Sequence, residues 1–367
     1  MNLKGHDHLF LDLDHASFLS ADAPSVTRKI RDEIKAVCRF FLEAIPGATL
    51  LLTGSLSVGE GKISRFKDRI SIRSDYDMAV VTPSVRHAVP SFLKRTISDL
   101  KRKVSLSTTL EVSLIWRFLL EHHLTTTAGR IVAGREDLGP VMETLRPPRP
   151  GNSLAMAYLY FLKATLHPSE DSLGLSKTLL RGAQAFLFHQ YRFSDRKEWG
   201  RISSLQFCAD RIVLAKELFG EEGIKIIQTA AGHLLGKGTP CWREKDYVLT
   251  GRLLAAMEPI VFPAPGWHEW LKHFFWLWRR RGIRRPVSHG TGICIRGLRL
   301  MAEAWTGSEM QREAGLREAS QLAALLGGPI PRGGENDIRL DFENLSDLLE
   351  DYLSFYPNKI SYAPGPS

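Results

Sequence analysis

Asp75 and Asp77 stand two residues apart and run straight into the apolar stretch 78–81, and this pair constrains the fold more than any other feature of the chain. In a strand, side chains two apart project to the same side, so both carboxylates share one face. Like charges on one face repel. A divalent cation between them removes that cost, and Mg²⁺ takes carboxylate oxygens together with substrate phosphates. Upstream, the apolar run 48–52 reads as a buried strand, and Gly54-Ser55 follow it at once. A glycine there lets backbone come close to a phosphate, and successive N–H groups entering a helix form an anion nest.

This order of strand, Gly-Ser turn and Asp-x-Asp strand resembles the DNA polymerase β-like nucleotidyltransferase superfamily, with Gly54-Ser55 and Asp75-x-Asp77 as the matching residues. The resemblance implies an α+β fold: a mixed-sheet catalytic domain at 1–150, then an α-helical domain at 151–367 that completes the nucleotide cleft. It implies that Gly54 and Ser55 hold the triphosphate of an NTP, and that Asp75 and Asp77 hold one or two Mg²⁺ ions, with Mn²⁺ as the substitute. Twenty positions separate Ser55 from Asp75, more than is usual in the family. The insertion alternates apolar and polar residues at 63–66 and 69–72 around Lys67-Asp68, a hairpin pattern. It is expected to extend the catalytic strand backwards and so keep the two aspartates in place.

The same chemistry requires a third carboxylate on a neighbouring strand, to orient the ion that activates the attacking group. Glu111 is the candidate, where the family usually carries Asp. It lies in the β-branched-rich segment 108–115, in which Glu111, Ser113 and Ile115 share one face and Leu110, Val112 and Leu114 the other. A solvated glutamate on a sheet face is the alternative reading. Around these strands, 26–45 and 90–103 carry apolar residues three and four apart and predict helices. The segment 129–137 resembles the strand and turn that close the catalytic domain in the family.

At 147–151 the run Pro-Pro-Arg-Pro-Gly reads as a hinge. Beyond it, helical periodicity predicts helices at 153–166, 173–193, 205–219, 224–235, 246–257, 267–281, 293–305, 308–326 and 345–355, with 327–336 and the last seven residues as loop and tail. Residues 175–181 resemble the family's helix that touches the triphosphate. The resemblance implies that Ser176 and Lys177 bind β/γ phosphates and that Arg181, one turn on, joins them. A surface helix with two solvated cations is the alternative.

At 367 residues the chain exceeds one core, so two domains are expected. The four cysteines are scattered, with no spacing for zinc, and are read as reduced core thiols. No run of eighteen apolar residues occurs and the N-terminus lacks a signal-peptide order, so a cytoplasmic protein with no membrane partner is expected. Residues 267–300 hold eight Lys or Arg against the single Glu269, and Trp267, Trp270, Trp276 and Trp278 are half of the tryptophans. The arginines at 279, 280, 281, 284 and 285 are read as caps of a core helix, with a phosphate-binding site for RNA as the alternative. The aromatics fall on too many sides of the helix for a membrane face.

Transfer of a nucleoside monophosphate from an NTP to a hydroxyl or amine, with release of pyrophosphate, is the expected function. The acceptor, whether small molecule, protein or RNA, is left open. A synthase of cyclic or short oligonucleotides and a catalytically silent nucleotide or RNA binder are the alternatives.

Overall fold

The structure, a computed structural model, describes residues 13, 18–19, 23–66, 69–117, 130–134, 150–168, 172–191, 201–202, 204–262, 266–282, 284–327, 338–354 and 359–362. The chain divides into two units. One comprises Met1–Pro148, Ser194–Ser204 and Asn358–Ser367, and the other Arg149–Phe193 and Leu205–Pro357.

In the first unit, α1 (Pro24–Ala44) buries Ile30, Ile34, Val37, Cys38 and Phe41 of the predicted stripe, with Leu42 partly buried beside them. Pro24 sits in its first turn, where a missing N–H costs nothing. Gly47, at φ +79°, reverses the chain into β1 (Thr49–Thr53). A short helical turn, α2 (Gly54–Ser57), and a hairpin of β2 (Ile63–Phe66) and β3 (Arg69–Ile72) lead to β4 (Tyr76–Thr82). Helix α3 (Pro90–Lys103) then crosses to β5 (Leu110–Trp116), followed by β6 (Arg130–Ala133). With β7 (Lys359–Tyr362) these strands form a five-stranded mixed sheet in the order β6-β1-β4-β5-β7. Only β4 and β5 are parallel, and a parallel pair needs the crossover that α3 supplies.

One sheet face carries Leu50, Leu52, Met78, Val80, Leu110, Val112 and Leu114. These join Ile30, Ile34 and Phe41 of α1 and Leu93, Ile97 and Leu100 of α3 in a single core. A fully buried aliphatic side chain contributes roughly 1.5–3 kcal/mol, and a one-residue slip of any strand would turn its share outward. The core therefore fixes the face left to Thr53, Asp77 and Glu111.

Two expectations change here. The hairpin strands fall at 63–66 and 69–72 as read, but they pair only with each other, in a separate two-stranded sheet. Its base closes on Lys62, whose carbonyl accepts from Arg73 N–H at 2.8 Å and whose N–H donates to Ser74 Oγ at 2.8 Å. So the hairpin ends before Asp75 instead of lengthening β4. Its turn, Lys67-Asp68, lies outside the described residues, as do Gly129 and 135–137 of the predicted closing element. The second change is at the C-terminus, where Ser361 and Tyr362 were expected in a tail after an all-helical region. They belong to β7, which pairs with β5 as Leu110↔Tyr362 and Val112↔Ile360 and removes the free edge of that strand.

The second unit is helical among its described residues. Helix α4 (Pro150–Leu166) buries Leu154, Ala155, Ala157, Tyr158, Leu159, Phe161 and Leu162 around its circumference, so it takes the centre. Then follow α5 (Ser172–Gln190), α6 (Leu205–Arg211), α7 (Lys216–Leu234), α8 (Glu244–Val261), α9 (Trp267–Arg279), α10 (Gly290–Trp305), α11 (Glu309–Leu325) and α12 (Ile338–Leu353). Helices α5, α8, α10 and α12 all pack on α4. The predicted helix 205–219 is broken, because a 3₁₀ turn at Ile212–Ala215 separates α6 from α7. The Pro147, Pro148 and Arg149 of the predicted hinge lie outside the described residues, and Pro150 opens α4.

Helix α9 turns polar residues inward. Glu269 Oε2 accepts from the Thr291 N–H at 3.2 Å and the Thr291 hydroxyl at 2.8 Å. His273 is fully buried, and its Nδ1 accepts the Val287 N–H at 2.8 Å, which places the proton of the neutral ring on Nε2. Burial pushes the His273 pKa down from the usual 6.5 to about 4. Between those two values the unfolded chain binds a proton that the folded chain refuses, so stability falls as pH falls through this window. The slope is about 1.4 kcal/mol per pH unit, for a loss of roughly 3 kcal/mol. Urea denaturation from neutral pH down to about pH 4 should register this, and His273→Gln should lose that part of the slope. Equal slopes in both proteins would rule out a buried neutral imidazole.

Candidate active site

The strand register assembles the site. Thr53 of β1 pairs with Asp77 of β4, and Asp77 pairs with Glu111 of β5, so the three form one row across the sheet on the face away from the core. Asp75 lies directly before β4 and is exposed, while Asp77 and Glu111 are half-buried. The row is tied at its first member, because Thr53 Oγ1 donates to the Asp77 carbonyl at 3.1 Å.

Gly54 lies against this row. Its φ is +71°, and a Cβ built on it would stand 2.2 Å from Asp77 Oδ2 and 3.1 Å from Asp77 Cγ. A side chain there would have to displace the Asp77 carboxylate, and the positive φ itself favours glycine. The turn is fastened to the other end of the Asp-x-Asp segment by side chains. Ser55 Oγ donates to Ser74 Oγ at 3.1 Å, and Thr108 Oγ1 donates to the Ser74 carbonyl at 3.1 Å. Glu60, nearly buried, donates its N–H to the Ser55 carbonyl at 2.9 Å and accepts the Ser204 hydroxyl at 2.6 Å.

Tyr76, between the two aspartates, points the opposite way into the core and is fully buried. Its hydroxyl donates to Glu33 Oε2 of α1 at 2.8 Å, and the same oxygen accepts the Ser107 N–H at 3.0 Å and the Ser107 hydroxyl at 2.9 Å. Burial, then the negative Glu33, push the Tyr76 pKa far above its usual value, so the phenol remains a donor. The Asp-x-Asp segment is thereby pinned from its back face. Glu33→Ala should cost about 1–3 kcal/mol, since it strands a buried hydroxyl, and Tyr76→Phe about 1 kcal/mol. In denaturant titrations the double variant should fall short of the sum of the singles by at least about 0.5 kcal/mol. Simple additivity would dissolve the network.

The donors fit Mg²⁺ in kind: hard carboxylate oxygens beside the close backbone approach of Gly54. Among the described residues, no group of three or more His, Cys, Asp or Glu could by itself hold a metal ion. Mg²⁺ does not need such a cage, because it keeps waters and commonly takes one or two carboxylates plus substrate phosphates.

The residues expected on the helical domain fare differently. Ser176 of α5 is fully buried, and its hydroxyl shares a 2.8 Å hydrogen bond with His233 Nδ1. Buried on the packed side of α5, Ser176 is not presented to a phosphate in this arrangement. Lys177 and Arg181 are exposed one turn apart. Lys177 Nζ lies 5.3 Å from the Tyr160 ring centre, and Arg181 donates to Gln184 Oε1 at 3.1 Å. The sheet unit thus brings together Gly54, Ser55, Asp77 and Glu111, whereas Lys177 and Arg181 belong to the helical unit. Sequence reading missed Thr53, Ser74, Glu33 and Ser107. Only Ser74 carried a signal, its place directly before Asp75.

Among the described residues, no helix is long and apolar enough to cross a membrane. No protein-family model matches the chain, and neither a curated protein nor a solved structure matches it.

Proposed function

We propose that the protein is a Mg²⁺-dependent nucleotidyltransferase of the DNA polymerase β-like kind. The approach of Gly54 to the Asp77 carboxylate, on the face where Glu111 stands in register, carries this reading. A divalent ion at these carboxylates would neutralise triphosphate charge and acidify the attacking group. Gly54 and Ser55 hold the triphosphate through backbone N–H groups, Asp75 and Asp77 supply the principal metal donors, and Glu111 adds a donor beside the attacking group. An acceptor oxygen or nitrogen bonds to the α-phosphorus, the bond to the bridging oxygen of pyrophosphate breaks, and the acceptor's proton is released. Positioning supplies most of the rate.

Incubation of the pure protein with each α-labelled NTP, Mg²⁺ and small-molecule, protein and RNA acceptors tests the reading. Labelled acceptor, or labelled cyclic or short oligonucleotide, together with pyrophosphate is the expected product. Failure with all four NTPs, alongside Mg²⁺-dependent NTP binding, would favour a silent binder, the second reading.

A further inference from the structure

Helix α9 has its amphipathicity inverted. Its polar Glu269 and His273 face the core with Trp276 and Leu277, while Trp267, Trp270, Phe274, Phe275 and Trp278 are exposed. The exposed residues are not scattered. Trp267, Trp270, Phe274 and Trp278 follow one another at three- and four-residue steps, and the half-buried Leu271 and exposed Phe275 extend the same side. Trp278 is 69% and Trp267 52% exposed, at opposite ends of the helix. Sequence periodicity placed aromatics on several sides because it counted Trp276, which is buried and donates its indole N–H to the Leu326 carbonyl at 2.7 Å. A continuous aromatic ridge in water is costly, and such faces mark interaction surfaces.

The charges around the ridge indicate what covers it. Glu269 is the only acidic residue from 267 to 300, and it is buried. Of the arginines after the helix, Arg280 stacks on Trp276 with 4.4 Å to the ring centre and lies 3.8 Å from Asp351, and Arg284 donates to the Ala324 carbonyl. Those two brace the fold, as the capping reading expected. Arg281 is exposed directly after the helix, at the Trp278 end of the ridge, and Arg285 is exposed on the segment that returns past His273. Trp270 and Phe274 stack on each other, with ring centres 5.6 Å apart and planes 12° apart, so each gives one face to the other and not to a base. An apolar ridge of Trp, Phe and Leu on a convex helix, ending in arginine, matches an interfacial helix lying flat on a bilayer.

We infer that the exposed face of α9 docks the protein peripherally on an anionic lipid bilayer, with Trp267, Trp270, Phe274, Phe275 and Trp278 in the acyl–headgroup boundary and Arg281 on lipid phosphates and carboxylates. This surface is independent of nucleotidyl transfer, so either reading stands if the other fails.

Co-sedimentation of the full-length protein with phosphatidylcholine vesicles, with and without roughly one-third phosphatidylserine, tests it. Brominated acyl chains serve as tryptophan quenchers. The protein should bind the anionic vesicles, bind the neutral ones far less, and show quenching. Arg281→Gln should weaken binding by about fivefold, the effect of one basic side chain near the surface. The combined change of Trp267, Trp270, Phe274 and Trp278 to Gln should abolish binding as read by sedimentation, since it removes the reporting indoles themselves, with circular dichroism checking that the helices are kept. Absence of binding to anionic vesicles at low salt overturns the inference, and so does undiminished binding by the four-residue variant. Tryptophans shielded by single-stranded RNA or by self-association, with vesicles inert, overturn it as well.

Discussion

Gly54→Ala should remove Mg²⁺-dependent NTP binding and lower stability by at least about 1–2 kcal/mol, the cost of holding an L-residue in the left-handed region. The backbone part follows from φ +71°. The binding part follows from the new methyl group, 2.2 Å from Asp77 Oδ2, which must drive that carboxylate out of its row. Gly47→Ala separates the two effects. Gly47 has φ +79°, and its added Cβ would meet only Pro83 Cγ at 3.7 Å, so this variant bears the backbone cost alone and should retain NTP binding. Isothermal titration with NTP and Mg²⁺, beside denaturant melts of both variants, reads the comparison directly. Equal loss of binding in the two would mean that a general weakening of the fold, and not the approach of Gly54 to Asp77, is responsible.

Asp75→Asn and Asp77→Asn should each reduce nucleotide transfer by about 10³-fold or more, because a neutral amide cannot supply the charge that a divalent ion and a triphosphate require. The change in volume is small and both positions lie outside the apolar core. Melting temperatures should therefore match the wild type, or rise as repulsion between the two carboxylates is relieved. Glu111→Gln should also lower transfer, since its place in register with Asp77 puts it on the same face. Full turnover by either aspartate variant would remove this row from the chemistry altogether.

Local pattern determined much of this molecule. The stripe of α1, the span of α3, both hairpin strands and the alternation of β5 are readable because periods of 3.6 and 2 write burial into sequence, and side chains two apart in a strand must share a face. The same rule predicted a shared face for Asp75 and Asp77, but β4 begins at Tyr76, so the alternation covers Asp77 and not Asp75. What no local pattern could supply is which strand lies beside which. Glu111 meets Asp77 through a parallel pairing of residues 34 positions apart across α3, and the four residues of β7 reach β5 from the far end of the chain. Those pairings are decided by which edges and apolar faces remain to be covered once the core is built. Close approach is equally tertiary: a Gly-Ser turn signals freedom, but only the packed site shows that Asp77 occupies the space where a Cβ would stand. Periodicity also says that a helix has two faces without saying which turns inward. In α5 the expected ligand Ser176 went inside, and in α9 the aromatics went outside, because buried Glu269 and His273 found hydrogen-bond partners that satisfy them in the core.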